Sequence, residues 1–223
     1  MGFLLLKKTI LKFNYLDTTI LISFITASIL LACLPGPDII YVLMLSISKG
    51  KKYGIITALG LVSGIIIHTT LVAFGIAAII NKSEILFLAI KILGAFYLFY
   101  LAYKTFKSTS SINLKASDIS EKTFFQYYKQ GFVMNVLNPK VVIFFLAFFP
   151  SFIVQSNGDI VIQTYTLGFL FMLSSFFVFS IISLIADKLT QFLRGNIKFE
   201  KFLHNFQIFI FIAIGIFILF SDK

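Results

Sequence analysis

The stretch LACLPGPDII, residues 31–40, interrupts an apolar run with Pro35, Gly36 and Pro37, and places Asp38 directly after them. Hydrophobic sequence resumes at once on the far side. Proline removes a backbone donor, and the residue before a proline is pushed out of the helical region. These ten residues therefore predict a helix that breaks inside an apolar segment, with a carboxylate at the break.

The composition indicates that lipid, not water, surrounds most of the chain. Of 223 residues, 59% are hydrophobic and 13% are charged, whereas soluble domains are about 45–50% apolar and about 25% charged. The net charge of +10 comes from lysines that flank apolar blocks, which is typical of membrane anchoring and not of a nucleic-acid interface. The single cysteine, Cys33, excludes an intramolecular disulfide and a multi-cysteine metal site.

Six apolar segments are long enough for membrane helices of about 20 residues. The first is too long for one straight crossing, because 31 helical residues measure about 46 Å and the hydrocarbon core about 30 Å. The predicted fold class is an all-α polytopic membrane protein with six transmembrane helices. They lie at residues 18–48, 53–80, 85–106, 130–154, 161–186 and 202–220.

Lysine and arginine predict the orientation of these spans. The loops at 49–52, 104–129 and 187–201 hold twelve of these residues, and the opposite loops and the termini hold five. The positive-inside rule then places the three basic loops in the cytoplasm and both termini outside.

A polar linker, residues 107–129, divides the chain into two sets of three spans. We expect an N-terminal extension at 1–17, a first three-helix repeat at 18–106 and a second at 130–220. Because three is odd, the second set must enter the membrane in the opposite direction. The sequence therefore predicts two inverted repeats, the arrangement found in many secondary transporters, with the first helix of each repeat broken at proline.

The two predicted breaks carry opposite charges at matching positions. When Pro37 is aligned with Pro139, Asp38 falls opposite Lys140. Each charge lies eleven residues from the nearest lysine of the inner edge, or about 16 Å of helix. Both charges are therefore expected near the middle of the bilayer.

A charge at that depth is costly, about 2.5–3.5 kcal/mol on insertion scales, and faces protein or a wet cavity. The helix N-termini opened by the prolines suit a carboxylate. One acidic group, one basic group and two helix N-termini match a zwitterionic amino acid. The alternative interpretation is a structural pair, in which Asp38 and Lys140 only neutralise each other.

Four polar neighbours complete the candidate substrate site. Tyr41, one turn after Asp38, is placed to steady that carboxylate or a substrate. Asn135 and Asn138 share a helix face, and either line the cavity or satisfy carbonyls freed by Pro139. His68, in the second span, either relays protons with Asp38 or bonds to a neighbouring helix.

Four segments, taken in order, resemble the lysine-exporter (LysE/RhtB) superfamily, in its homoserine/threonine-resistance branch. They are PGPD (35–38), SKGKKYGIITALGLVSGIIIHTTLVAFGIAAII (48–80), KILGAFYLFYLAYK (91–104) and NPKVVIFFLAFFPSF (138–152). The resemblance covers about residues 18–220. It implies a bacterial inner-membrane exporter of amino acids, run by proton antiport. The family motif positions correspond to Pro35, Gly36, Pro37, Asn138, Pro139 and Lys140, and in the third span to Gly94, Tyr97 and Leu98.

The predicted function is a secondary exporter that moves a small amino acid or derivative outward by alternating access. Its expected partners are that substrate and membrane lipids, with a homodimer as a candidate assembly, and without cofactor, metal or nucleic acid. No enzyme is predicted, because phosphate-loop, zinc-protease and hydrolase motifs are missing from the sequence. The alternatives are cadmium-type metal efflux, which would need several soft ligands, and a non-transport membrane protein.

Overall fold

The structure, a computed structural model, describes residues 17–80, 84–108, 122–154, 156, 158–186, 188 and 197–220. This part of the chain is helical and contains no strand. The elements in chain order are α1 (Thr18–Cys33), α2 (Pro37–Lys49), α3 (Lys51–Ile80), α4 (Glu84–Lys107), α5 (Phe124–Val136), α6 (Pro139–Ile143), a π-helical stretch (Phe144–Phe148), a 3₁₀ stretch (Phe149–Phe152), α7 (Ile160–Leu184) and α8 (Ile197–Phe220).

Four of these helices are long and apolar enough to cross a membrane, and two bent pairs have the composition of one further crossing each. The first pair, α1 with α2, bends by 60°, and the second, Phe124–Val136 with Pro139–Phe152, bends by 48°. Both bends lie at the proline positions predicted from the sequence. The described residues thus hold between four and six candidate crossings, a range that includes the six predicted segments.

The segment boundaries differ from prediction mainly before the fourth crossing. α5 begins at Phe124, inside the stretch predicted as linker, because Thr123 and Gln126 form a reciprocal capping box. Its first turns mix aromatic and polar residues, so hydropathy alone placed the start at 130. Residues 1–16 of the predicted extension and 109–121 of the predicted linker lie outside the described part of the chain.

The long helix α3 lies at the centre of the bundle and packs against α5, α7 and α2, while α8 packs along α4. Backbones approach closely where α3 meets α5. A Cβ atom added to Gly60 would lie 2.0 Å from the Tyr128 carbonyl oxygen, and one added to Gly131 would lie 2.3 Å from that of Thr57. Small residues allow such approach in membrane bundles, where dispersion contacts drive packing.

A cluster of phenylalanines fills one half of the bundle, beside α1 and the second part of the fourth crossing. Phe24 lies at its centre and packs edge-on against Phe149 and Phe152, while Phe144 stacks on Phe171. All of these rings are buried.

Candidate functional site

The first break is three residues of extended chain between α1 and α2. α1 ends at Cys33, and Gly36 is extended, with φ −166° and ψ 177°, as expected before a proline. Pro37 occupies the first turn of α2, and Gly36, which caps that helix, offers no side-chain hydrogen bond. Asp38 lies in the same first turn, and its side chain is 3% exposed.

The second break is shorter and is capped by its own chain. α5 ends at Val136, and Asn138 begins the next helix, where its Oδ1 accepts the backbone N–H of Lys140 at 3.0 Å. The Nδ2 of the same side chain donates to Asp38 Oδ2 at 2.6 Å. Asn138 therefore joins the two breaks directly.

Lys140 crosses from the second break to the first. Its Nζ donates to the carbonyl oxygens of Leu31 and Leu34, at 3.3 and 3.5 Å. These carbonyls belong to the C-terminal end of α1, where the helix dipole favours a cation. Among the described residues no hydrogen bond joins Lys140 to Asp38 directly, because the carboxylate bonds Asn138 and the ammonium bonds carbonyls of α1.

The two charged side chains retain an unused acceptor and an unused donor. Asp38 Oδ1 is buried and has no hydrogen-bond partner among the described protein groups. Lys140 uses two of the three donors that an ammonium carries, and its side chain is 9% exposed. An unpaired carboxylate oxygen beside a buried ammonium is complementary to a small molecule that carries both charges.

His68 contacts the second break and not the carboxylate. Its Nε2 lies 3.2 Å from the carbonyl oxygen of Asn135, the residue four positions before Pro139. Because a carbonyl only accepts, Nε2 carries the hydrogen. The ring stacks on Phe145, with centroids 5.5 Å apart. This geometry corresponds to the packing alternative for His68.

Two predicted polar residues remain, Asn135 and Tyr41. The side chain of Asn135 is buried, and its Oδ1 has no hydrogen-bond partner among the described residues. Tyr41 is half-buried one turn from Asp38, yet Asn138 and not Tyr41 provides the described hydrogen bond to that carboxylate.

Sequence reasoning missed Gln207. This residue of α8 donates from Nε2 to the carbonyl oxygen of Pro35, at 2.9 Å. An uncharged polar side chain inside the apolar run 202–220 was the available signal. Its partner could not be read from the sequence, because it depends on how α8 packs.

Metal ligands do not gather in this part of the molecule. Over the described ranges, no three side chains of His, Cys, Asp or Glu come together at a spacing that could hold an ion. The cadmium-type alternative therefore gains no support from the geometry.

The comparison with known families bears on both breaks. The model of the LysE type translocator family matches residues 29–222, a range that contains both breaks and every predicted site residue. This chain belongs to the LysE type translocator family. The family resemblance inferred from the sequence is thereby confirmed, and the protein is a multi-pass membrane transporter rather than an enzyme.

Curated relatives agree with this assignment. This LysE type translocator is 32% identical, over 204 residues, to the uncharacterized membrane protein YrhP of Bacillus subtilis (strain 168), covering 88% of this chain and 96% of that protein. It is 27% identical, over 179 residues, to the leucine efflux proteins of Salmonella choleraesuis and Salmonella typhimurium, covering 80% of this chain and 84% of each. No solved structure matches it significantly.

Proposed function

We propose that this translocator is a secondary exporter of a neutral, apolar amino acid of the leucine type. It carries its substrate from the cytoplasm outward across the bacterial inner membrane. The observation that carries the proposal is the unpartnered Oδ1 of Asp38, buried at the junction of two broken helices. A buried acceptor without a donor is costly, and a substrate ammonium group would satisfy it.

The two charges of the substrate match the two unused groups. Its ammonium would bind Asp38 Oδ1, and its carboxylate would accept the free donor of Lys140. The side chain would then lie among the apolar residues that follow Lys140, of which Val141, Phe144 and Phe145 are buried. Two relatives named as leucine efflux proteins support an apolar cargo.

Alternating access would use the two bends as hinges. In the proposed cycle, the two sets of three spans form inverted repeats that rock against each other around the site. Both termini would lie outside, as the lysine distribution predicts. On the outer side, a proton would neutralise Asp38, release the substrate ammonium and so couple export to the proton gradient.

The decisive experiment replaces Asp38 with Asn and measures counterflow of radiolabelled leucine in proteoliposomes. The amide keeps the shape but loses the charge that holds the ammonium, so we expect a fall of about 100-fold, which corresponds to a charged hydrogen bond of about 2–3 kcal/mol. Wild-type rates in this variant would refute the proposal.

Asp159→Asn is the matched control. Asp159 caps α7 by accepting the N–H groups of Val161 and Ile162, at 2.7 and 3.1 Å, and Asn caps helices equally well. This variant loses the same charge away from the breaks, and its counterflow should equal that of the wild type.

A further inference from the structure

The last helix reaches the first break through one side chain. Gln207 Nε2 donates to the Pro35 carbonyl oxygen, which lies in the extended stretch between α1 and α2. The first backbone hydrogen bond of α2 runs from Ile40 N to Gly36 O, so it begins one residue after Pro35. Gln207 therefore supplies the donor described for the Pro35 carbonyl.

The residues of the first break, Leu34 to Gly36, also position Lys140. The carbonyl of Leu34 accepts from Lys140 Nζ, and a Cβ atom added to Gly36 would lie 3.3 Å from that nitrogen. Pro35 lies between these two contacts. Any shift of its carbonyl would move both neighbours and change where the ammonium lies.

We propose that Gln207 is a positioning residue for substrate binding. By fixing the Pro35 carbonyl, it sets the distance between the Lys140 ammonium and Asp38 Oδ1, and it couples movements of α8 to the site. This inference rests on the proposed amino-acid site. It predicts an effect on substrate affinity and not only on stability.

The test compares two glutamines that make the same kind of bond. Gln163 Nε2 donates to the Val154 carbonyl oxygen at 2.9 Å, remote from the breaks. Replacing either glutamine with Leu removes such a donor. At Gln163 it also removes the acceptor of the Val154 N–H, at 3.0 Å, and a donation to the Gly158 carbonyl oxygen at 3.4 Å, so this control loses at least as much local structure as the test variant. We expect Gln207→Leu to weaken leucine binding to purified protein at least tenfold, and Gln163→Leu to lower the melting temperature while affinity stays within twofold of the wild type.

Equal affinity in wild type and Gln207→Leu would overturn this inference. So would an equal loss of affinity in both variants, because the effect would then be a general loss of structure. A wild-type protein that binds no amino acid would instead refute the proposed function, so the two failures are distinguishable.

A second, independent observation concerns the point where the C-terminal ends of α2 and α7 meet the N-terminal end of α3. Ser46 Oγ and Ser183 Oγ lie 2.8 Å apart, and Ser183 also donates to the Lys51 carbonyl oxygen at 2.8 Å. Gly54 makes this contact possible, since a Cβ atom there would lie 1.9 Å from Ser46 Oγ. Both serines are buried.

This three-helix contact lies between Asp38 and the basic loop at 49–52, measured along α2. Ser46 is eight residues beyond Asp38, or about 12 Å along α2. Residues next to the two serines in sequence belong to a small apolar cluster, formed by Leu43 and Ala186 with Ile47, Ile182, Phe199 and Leu203. We infer that Ser46, Ser183 and Gly54 form the cytoplasmic gate of the exporter, closed in this structure and opened to admit substrate.

Cross-linking tests the gate directly. In a Cys33→Ala background, Ser46→Cys with Ser183→Cys places two thiols where the serine oxygens lie 2.8 Å apart. We expect oxidation to reduce leucine counterflow at least tenfold and a reductant to restore it. Failure to cross-link, or full transport by the cross-linked protein, would overturn the gate.

Two glycines of α3, Gly54 and Gly75, allow a second test of the gate. Gly54→Ala should hold the gate open and slow transport at least tenfold while leucine binding persists. A Cβ atom on Gly75 would meet nothing within 4 Å, so Gly75→Ala should transport normally. Equal rates in the two variants would contradict the gate, whereas a reduced, unmodified protein that moves no amino acid would refute the proposed function.

Discussion

The two breaks satisfy their unpaired backbone carbonyl groups in different ways. Each opens a membrane helix and leaves carbonyl groups without intrahelical donors. At the second break, Asn138 caps the following helix with its own side chain, and its backbone N–H donates to the Asn135 carbonyl. At the first break, the described donors to the Leu31, Leu34 and Pro35 carbonyls include side chains from α6 and α8.

This difference indicates which break is more easily moved. The second keeps local contacts, the Asn138 cap and its backbone bond, that persist when helices shift, in addition to its bonds to His68 and Asp38. The first depends on Lys140 and Gln207, which belong to other crossings, so movement of those crossings changes it directly. We therefore expect perturbation of the first break to affect transport most.

Lys140→Met should have the largest effect, because it removes the donor to α1 and leaves Asp38 without a nearby cation. Stranding a buried charge costs about 3–5 kcal/mol, so we expect a clear drop in melting temperature and loss of detectable leucine counterflow. Lys122→Met is the control, since Lys122 bonds only Gln130 among its described contacts. Comparable transport in the two variants would show that the ammonium does not connect the breaks.

Asn138→Ala should have the next largest effect, because it removes both the cap and the bond to Asp38. We expect a loss of about 2 kcal/mol in the free energy of unfolding and about a tenfold slower counterflow. Asn138→Ser retains a capping hydroxyl that is too short to reach Asp38. Serine should therefore recover about half of the stability but little transport; recovery of both would mean that only the cap matters.

His68→Phe should have a smaller effect, because the Asn135 carbonyl keeps the N–H of Asn138 at 3.0 Å. The stack on Phe145 also survives in this variant. We expect a loss of about 1 kcal/mol or less and counterflow within threefold of the wild type. Net export driven by a proton gradient is measured alongside, and its selective loss would assign His68 to proton relay.

Gly36→Ala should have the smallest effect. The extended backbone at Gly36 suits alanine, and the added methyl group would meet the flexible end of Lys140 at 3.3 Å and the Leu34 carbonyl oxygen at an ordinary contact distance of 3.8 Å. We expect a change below about 1 kcal/mol in stability and a twofold to threefold loss of leucine affinity. An unchanged affinity would show that the first break tolerates displacement of Lys140.

Much of this organisation follows from local sequence. The six apolar segments, both breaks and the burial of Asp38 and Lys140 could be predicted, because hydropathy and proline geometry act over a few residues. The hydrogen-bond partners of Asp38 and Lys140 could not be predicted. Asp38 bonds Asn138 and not Tyr41, and Lys140 bonds carbonyls of α1, because these contacts depend on how the helices rotate and pack.

The sequence by itself determined where the chain must break and which charges it carries into the membrane, since proline cannot donate and an apolar run cannot stay in water. The tertiary structure alone decided which donor bonds to which acceptor. In lipid every freed carbonyl needs a donor from within the protein, and only the packing of α8 and the fourth crossing against α1 brings Gln207 and Lys140 within reach.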